Sequence, residues 1–142
     1  MGGGLAGSEC ALQLAARGHD VVLHEMRGVR STPAHKTDKL AELVCSNTFK
    51  STELGNAHGL LKAEMRLLGC ALLEAADAAR IPAGTALAVD REVFSGSVHD
   101  RVAAHPRIRI ERGEVTTIPS PDRKSTRLNS SHTDISRMPS SA

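Results

Sequence analysis

Apolar positions between residues 5 and 118 recur in two alternating rhythms, and their order predicts helices alternating with short strands. Residues 5–18, LAGSECALQLAARG, are rich in Ala and Leu and carry no β-branched residue, so they predict a helix closed by Gly18. VVLHE, 21–25, reads as a short apolar strand that ends on an acid. RGVRSTPAHK, 27–36, is a loop, because Pro33 disfavours helix at Thr32. A short helix is expected over 38–44, with Thr37 as N-cap and Asp38 in its first turn, before CSN ends it. The clearest helical period covers 59–80. Leu61, Met65, Leu68, Leu72 and Ala76 form its apolar stripe, with Lys62, Glu64, Arg66 and Glu74 off it. A turn at 82–84 leads to the strand TALAV, 85–89, and Asp90 is placed to cap a helix over 91–104. RIRIERGEVTTI, 107–118, alternates like a pair of short strands, or one strand broken at Gly113. The expected fold class is an α/β layer structure.

Composition narrows the function. The 142 residues suffice for one domain with a moderate core, built from Leu, Ala, Val and Ile because there are two Phe, no Trp and no Tyr. No aromatic platform for stacking bases is visible. Apolar runs are broken by charge or Gly well short of a membrane span, and Met1 runs into glycines without a basic-then-apolar leader. The expectation is a cytoplasmic protein with no membrane partner. Cys10, Cys45 and Cys70 are widely spaced and odd in number, and none of the seven His has a partner at ligand spacing. Neither a disulfide framework nor a metal site is expected. The net charge of +2 arises from Asp122 onward, where four basic and two acidic residues leave 14 of each sign before it. That charge is no argument for nucleic-acid binding by the domain.

After Ile118 the chain becomes Ser-, Arg- and Pro-rich. Residues 1–119 are therefore read as a partial domain and 120–142 as a disordered or non-native tail. RKSTRLNSSHTDISRMPSSA resembles translated adaptor read-through.

The opening MGGGLAGSE carries the chemistry. Gly2, Gly4 and Gly7 fit G-x-G-x-x-G: a tight turn, a close backbone approach to a pyrophosphate, and close packing of helix on strand. The anion would sit on the amides of the helix N-terminus. Glu25, 18 residues after Gly7, stands where an acid accepts hydrogen bonds from an adenosine ribose, and it argues against a bound 2′-phosphate. The fingerprint normally follows a strand, so Met1 reads as an internal start and the chain as lacking its first strand. Among the cysteines, Cys45 in AELVCSN lies beside a polar loop and is a candidate nucleophile or acid/base, although the residues alone favour an inert core thiol. Cys10 and Cys70 read as packing residues. His35, in the Pro-containing loop, is the one histidine to watch.

GGGLAGSE, HEMR, TPAHKTDKLAELVCSN, GLLKAEMR and IPAGTALAVDREVFS together closely resemble the folate- and FAD-dependent tRNA (uracil-5-)-methyltransferase family, TrmFO, from Gly2 to about Pro119. The resemblance implies a partial Rossmann-like FAD-binding domain of the glutathione-reductase-like type, without its C-terminal half. It implies FAD held over Gly2, Gly3, Gly4, Leu5, Ala6 and Gly7, with its ribose at Glu25 and Arg27 near the adenosine end. It also implies methylenetetrahydrofolate and NAD(P)H as co-substrates, tRNA as partner, and 5-methyluridine in the T-loop as product. Cys45 matches the cysteine of the family's CSN, which the resemblance makes a catalytic thiol. GSEC stands where GSEA is usual, and NTFK where the family tends to a Leu-Arg pair. The chain alone is expected neither to retain FAD nor to methylate tRNA. Two alternatives stay open: another FAD- or NAD-dependent oxidoreductase using the same loop, and an inactive truncated nucleotide-binding module.

Overall fold

The computed structural model describes residues 2–30 and 32–117, so the expected tail, 120–142, lies outside the described residues. Within them the fold is mixed α/β, as expected. Helix α1 (Leu5–Ala16) leads to strand β1 (Val21–Glu25). There follow β2 (Thr48–Ser51), α2 (Ala57–Leu67), α3 (Ala71–Ala78), β3 (Arg80–Ile81), β4 (Ala86–Val89), α4 (Arg91–Ala103) and β5 (Ile108–Arg112). The helix α1 ends as its sequence predicts: Gly18 takes φ +88°, and the amides of Gly18 and His19 return to the carbonyls of Ala15 and Leu14.

Two small sheets organise the chain. β1 and β5 pair in parallel from Val21–Ile108 to Glu25–Arg112, and β2, β4 and β3 form an antiparallel sheet in that order. A parallel pair needs a long crossover, and here the crossover holds α2, α3, α4 and the second sheet. Lys50, at φ +68°, makes the irregularity in β2 between Thr48 and Ser51. The core lies between α1, α3 and α4 and the strands. Leu23, Leu87, Val89, Phe94, Val98 and Val102 are sealed there, and Phe49 meets Phe94 edge-on at 5.3 Å. Burying one such aliphatic side chain is worth ~1.5–3 kcal/mol. The predicted cap is present: Asp90 Oδ1 accepts the amides of Glu92 and Val93 at 2.9 and 3.0 Å.

Three expectations are corrected. Residues 38–44 form no helix. Leu40 and Ala41 are both fully buried, and Ala41 reaches that position by taking φ +53°, which a helix forbids. Thr37 Oγ1 accepts from Lys39 N at 3.3 Å in a local turn, and the Glu42 carboxylate accepts the amides of Lys36 and Thr37 that a helix would have left open.

The long helix over 59–80 is two helices. Gly69 turns the chain at φ +73°, and Arg80 belongs to β3. Leu72 and Ala76 are buried as the stripe predicts, but Leu61 and Leu68 are 55% and 78% exposed, whereas Lys62, expected outside the stripe, is buried. The start of α3 has no cap from Cys70. Glu9 of α1 supplies one across the interface, accepting Ala71 N at 3.1 Å and Leu72 N at 2.8 Å. Burial pushes the Glu9 carboxyl up, and these amides with Gln13 outweigh it, so the net shift is downward.

The third correction concerns strands. β2 and β3 carry too few alternating residues to be seen in the sequence; of the two readings of 107–118, the single strand broken at Gly113 holds among the described residues, because the chain leaves the sheet there (φ +156°).

Candidate functional site

The site begins at the glycine loop. Gly4 is the N-cap of α1 and has no side chain to bond the first-turn amides, so those N–H groups face outward. A Cβ added at Gly7 would overlap the Gly2 carbonyl, and one at Gly3 would run into Leu40 and Glu25; at Gly2 and Gly4 it would meet nothing within 4 Å. Two glycines are therefore required by the protein's own packing. The other two leave open space in front of the helix. Leu5 and Ala6 occupy the first turn, with their side chains towards a separate apolar hollow beside Phe49.

Beneath the loop lies a buried charge cluster. Glu25 Oε2 accepts Gly3 N at 2.9 Å and Arg27 Nη2 at 2.9 Å; Oε1 accepts Arg27 N at 2.9 Å and Arg27 Nε at 2.8 Å. A carboxylate has about four acceptor positions, and all four are filled. The Arg27 side-chain hydrogen bonds hold the Glu25 carboxyl down to about 2, against the desolvation that pushes it up. Arg27 is itself only 3% exposed. Its Nη2 also donates to Gly3 O at 3.2 Å, while Nη1 has no hydrogen-bond partner among the described residues and lies 3.5 Å from Glu42 Oε2. The strand β5 closes the cluster from the far side, where Arg112 Nη1 donates to the carbonyls of Arg27 and Asp38 at 2.9 and 2.8 Å.

The segment 37–44 is strapped onto this cluster. Ala41 N donates to Gly3 O at 2.8 Å, and Leu40 packs over Gly3. Burial pushes the Glu42 carboxyl up, but the amides of Lys36 and Thr37 and the Thr37 hydroxyl bring it below the usual range. Three residues beyond Glu42 is Cys45, free and exposed in the bend that leads into β2.

A cavity of about 610 Å³ opens between Gly2–Gly4, the end of β1 at Glu25–Arg27 and the stretch 113–115. His24 and His35 stand on its wall, and Thr32 Oγ1 lies 2.7 Å from His35 Nδ1. Of the residues singled out in the sequence, the structure brings Gly2, Gly3, Gly4, Glu25, Arg27 and His35 together around this cavity and leaves Cys45 outside its lining. Sequence reasoning missed Ala41 and Glu42. Both were read as positions in a helix, and no local pattern marks a contact that spans nearly 40 residues. Among the described residues, no group of three or more His, Cys, Asp or Glu is arranged to hold a metal, and no helix is long and apolar enough to cross a membrane.

A glycine loop opening a helix, an acid at the tip of the following strand and a parallel partner strand define a Rossmann-like α/β unit of the FAD-binding kind. The chain belongs to the glucose inhibited division protein A family, whose model matches residues 1–136. It is 59% identical over 120 residues to the methylenetetrahydrofolate–tRNA-(uracil-5-)-methyltransferase TrmFO of Streptococcus pneumoniae strain Hungary19A-6, covering 84% of this chain and 27% of that protein. The TrmFO of strain 70585 is 58% identical over the same shares. The chain thus spans about a quarter of the length of the curated relatives it matches, 27%.

Proposed function

We propose that the cavity beside the glycine loop holds the adenosine diphosphate half of FAD, in a flavoprotein that methylates C5 of uridine in tRNA. The observation that carries the reading is the open space over Gly2 and Gly4 in front of the outward amides of α1. An anion gains there from both the N–H groups and the helix dipole, without any cationic side chain. The residues fit the group: Gly2, Gly3, Gly4 and the amides of Leu5, Ala6 and Gly7 take the pyrophosphate, and Glu25 with Arg27 faces the ribose end. When bound, reduced FAD supplies the electrons and the one-carbon carrier for transfer from methylenetetrahydrofolate, with NAD(P)H as the source of reducing equivalents.

The chain's own residues bind and orient. Gly3 is fixed by Glu25 and Ala41, which holds the loop in the shape that presents the amides. Cys45 is the candidate thiol nucleophile or acid/base, reached from solvent and held on the segment strapped to the loop. The relatives' names support the substrates, tRNA and a methylenetetrahydrofolate, and a tRNA substrate favours a cytoplasmic location.

The polypeptide of residues 1–142 made by itself is expected to bind FAD reversibly, to lose it on desalting and not to methylate tRNA. The test is an equilibrium FAD titration followed by flavin fluorescence on the chain and on Gly4→Val. A Cβ at Gly4 meets no protein atom within 4 Å, and the valine side chain it carries fills the anion's space. Loss of affinity by ~10-fold or more, about 1.4 kcal/mol, with an unchanged melting temperature is expected. Equal affinity in Gly4→Val would refute the site, and stoichiometric flavin after desalting would refute the weak binding.

A further inference from the structure

The ribose reading of Glu25 meets a conflict inside the chain. Every acceptor position of that carboxylate is taken, three of them by Arg27 and one by Gly3 N. The Gly3 and Arg27 backbone bonds are fixed by the loop and by β1. The two guanidinium bonds are the only ones that a side-chain rotation can release. A ribose hydroxyl that donates to Glu25 must therefore displace the guanidinium, and a buried guanidinium must find another anion, because an uncompensated buried charge is costly.

One is in place. Glu42 Oε2 lies 3.5 Å from Arg27 Nη1, the side-chain nitrogen that has no hydrogen-bond partner among the described residues. Glu42 Oε1 accepts a single bond, from Lys36 N at 2.9 Å, and so keeps capacity for a further donor. Glu42 does not line the cavity. It follows Ala41, whose left-handed backbone at φ +53° is held by burial and by the bond to Gly3 O. Left-handed backbone is unfavourable at a non-glycine, so the strap is held by its contacts and responds when one of them changes.

We propose that Arg27 has two positions, one on Glu25 and one on Glu42, and that a ribose bound to Glu25 drives it to the second, making Glu42 the positioning residue that ties ligand binding to the strap before Cys45. The proposal rests on the ribose reading given above and adds the route by which binding reaches Cys45. The guanidinium stays charged and paired in both positions. Glu25 keeps the bonds from Gly3 N and Arg27 N and exchanges the two guanidinium bonds for ribose hydroxyls, so the ligand's hydrogen bonds must offset the ion pair that Glu25 gives up. The strap gains a short ion pair as the ligand arrives, and by reciprocity a tighter strap favours the ligand.

The experiment uses the whole chain with FAD as probe. FAD affinity is measured by fluorescence titration for the parent, Glu42→Gln, Arg27→Met and the double variant, and exchange of the Ala41 amide is followed by NMR with and without FAD. Thermal melts check folding, and Arg27→Lys, which keeps the charge and loses the forked geometry, replaces Arg27→Met if that variant does not fold. Glu42→Gln should weaken FAD ~5-fold or more, although it lies outside the cavity, and that effect should vanish in the Arg27 background. FAD should slow Ala41 exchange in the parent and leave it unchanged in Glu42→Gln. Affinity in Glu42→Gln within ~2-fold of the parent, or the same loss with and without Arg27, would overturn the proposal. If FAD binds and Gly4→Val abolishes binding while Glu42→Gln is neutral, only the Arg27 exchange fails. If FAD does not bind at all, both readings fall.

Discussion

The face built on the glycine loop and the face built on α2 treat charge and apolarity in opposite ways. At the loop, Glu25 and Arg27 are taken out of water and bonded to each other and to Gly3, with every acceptor position of Glu25 filled and only Arg27 Nη1 left over, so burial follows hydrogen bonding. On α2 the buried positions are Gly59 and Lys62, while Leu60, Leu61 and Leu67 are 50%, 55% and 90% exposed. Lys62 Nζ returns to His58 O at 2.7 Å, and burial pulls its pKa down. The first face is locked by specific partners and should break sharply when one is removed. The second has few partners to lose. Position in the pattern of apolar residues therefore says little about which substitutions this chain tolerates; the number of specific bonds says more.

The comparison breaks most visibly at Arg27. Arg27→Ala leaves the Glu25 carboxylate buried without its partner and should cost ~3–5 kcal/mol, read as a fall in urea midpoint; a loss under ~1 kcal/mol would mean that water enters the cluster freely. Acid acts on the same pair. Glu25 is held to about 2 in the fold, so it binds protons less readily there than in the unfolded chain. The stability this contributes is complete above the ordinary carboxylate range and is lost as pH falls from about 4.5 towards 2, on the order of 3 kcal/mol in all. Denaturant curves at pH 6, 4 and 2.5 measure it, and Glu25→Gln should flatten that slope.

A smaller effect with an unusual sign is expected at Gly7. Ala replacing Gly inside a helix ordinarily gains ~1 kcal/mol, but here the added methyl meets the Gly2 carbonyl, and a loss of ~1–3 kcal/mol should appear instead. A gain on thermal melting would show that the loop relaxes away. Least affected should be Leu68→Glu on the exposed α2 side, within ~0.5 kcal/mol of the parent. A large loss there would mean that this face is covered in solution.

What was legible in the sequence was local. α1, β1, β4 and α4 carry their own periods and end signals, including Gly18 and Asp90, and the structure has them where those signals lie. The glycine loop and the acid that ends β1 were legible as a spacing. The failures share one cause, a contact that outranks local preference. Residues 38–44 have helical composition, yet the Ala41 amide bonds to Gly3 and the Leu40 side chain fills the space above it. The stripe over 59–80 continues past Gly69 in the letters only, because Glu9 caps a fresh helix at Ala71 and Leu72. Glu25 was read as an acceptor waiting for a ligand. Its engagement by Arg27 two residues on depends on a side-chain rotamer, which spacing does not encode.

The parallel pairing of β1 with β5 has a consequence for assembly in time. Val21 pairs with Ile108, and Arg112 reaches back across 85 positions to the Arg27 carbonyl. Gly3, Glu25, Arg27 and the strap lie within the first 44 residues and close on one another over short loops, whose entropic cost is small. The remaining wall of the cavity, at 113–115, follows β5. A ribosome thus delivers the glycine loop and its charge cluster well before the opposite wall of the cavity. A nascent chain that has not passed β5 lacks the wall at 113–115, so the cavity beside the glycine loop closes only after β5 has paired with β1.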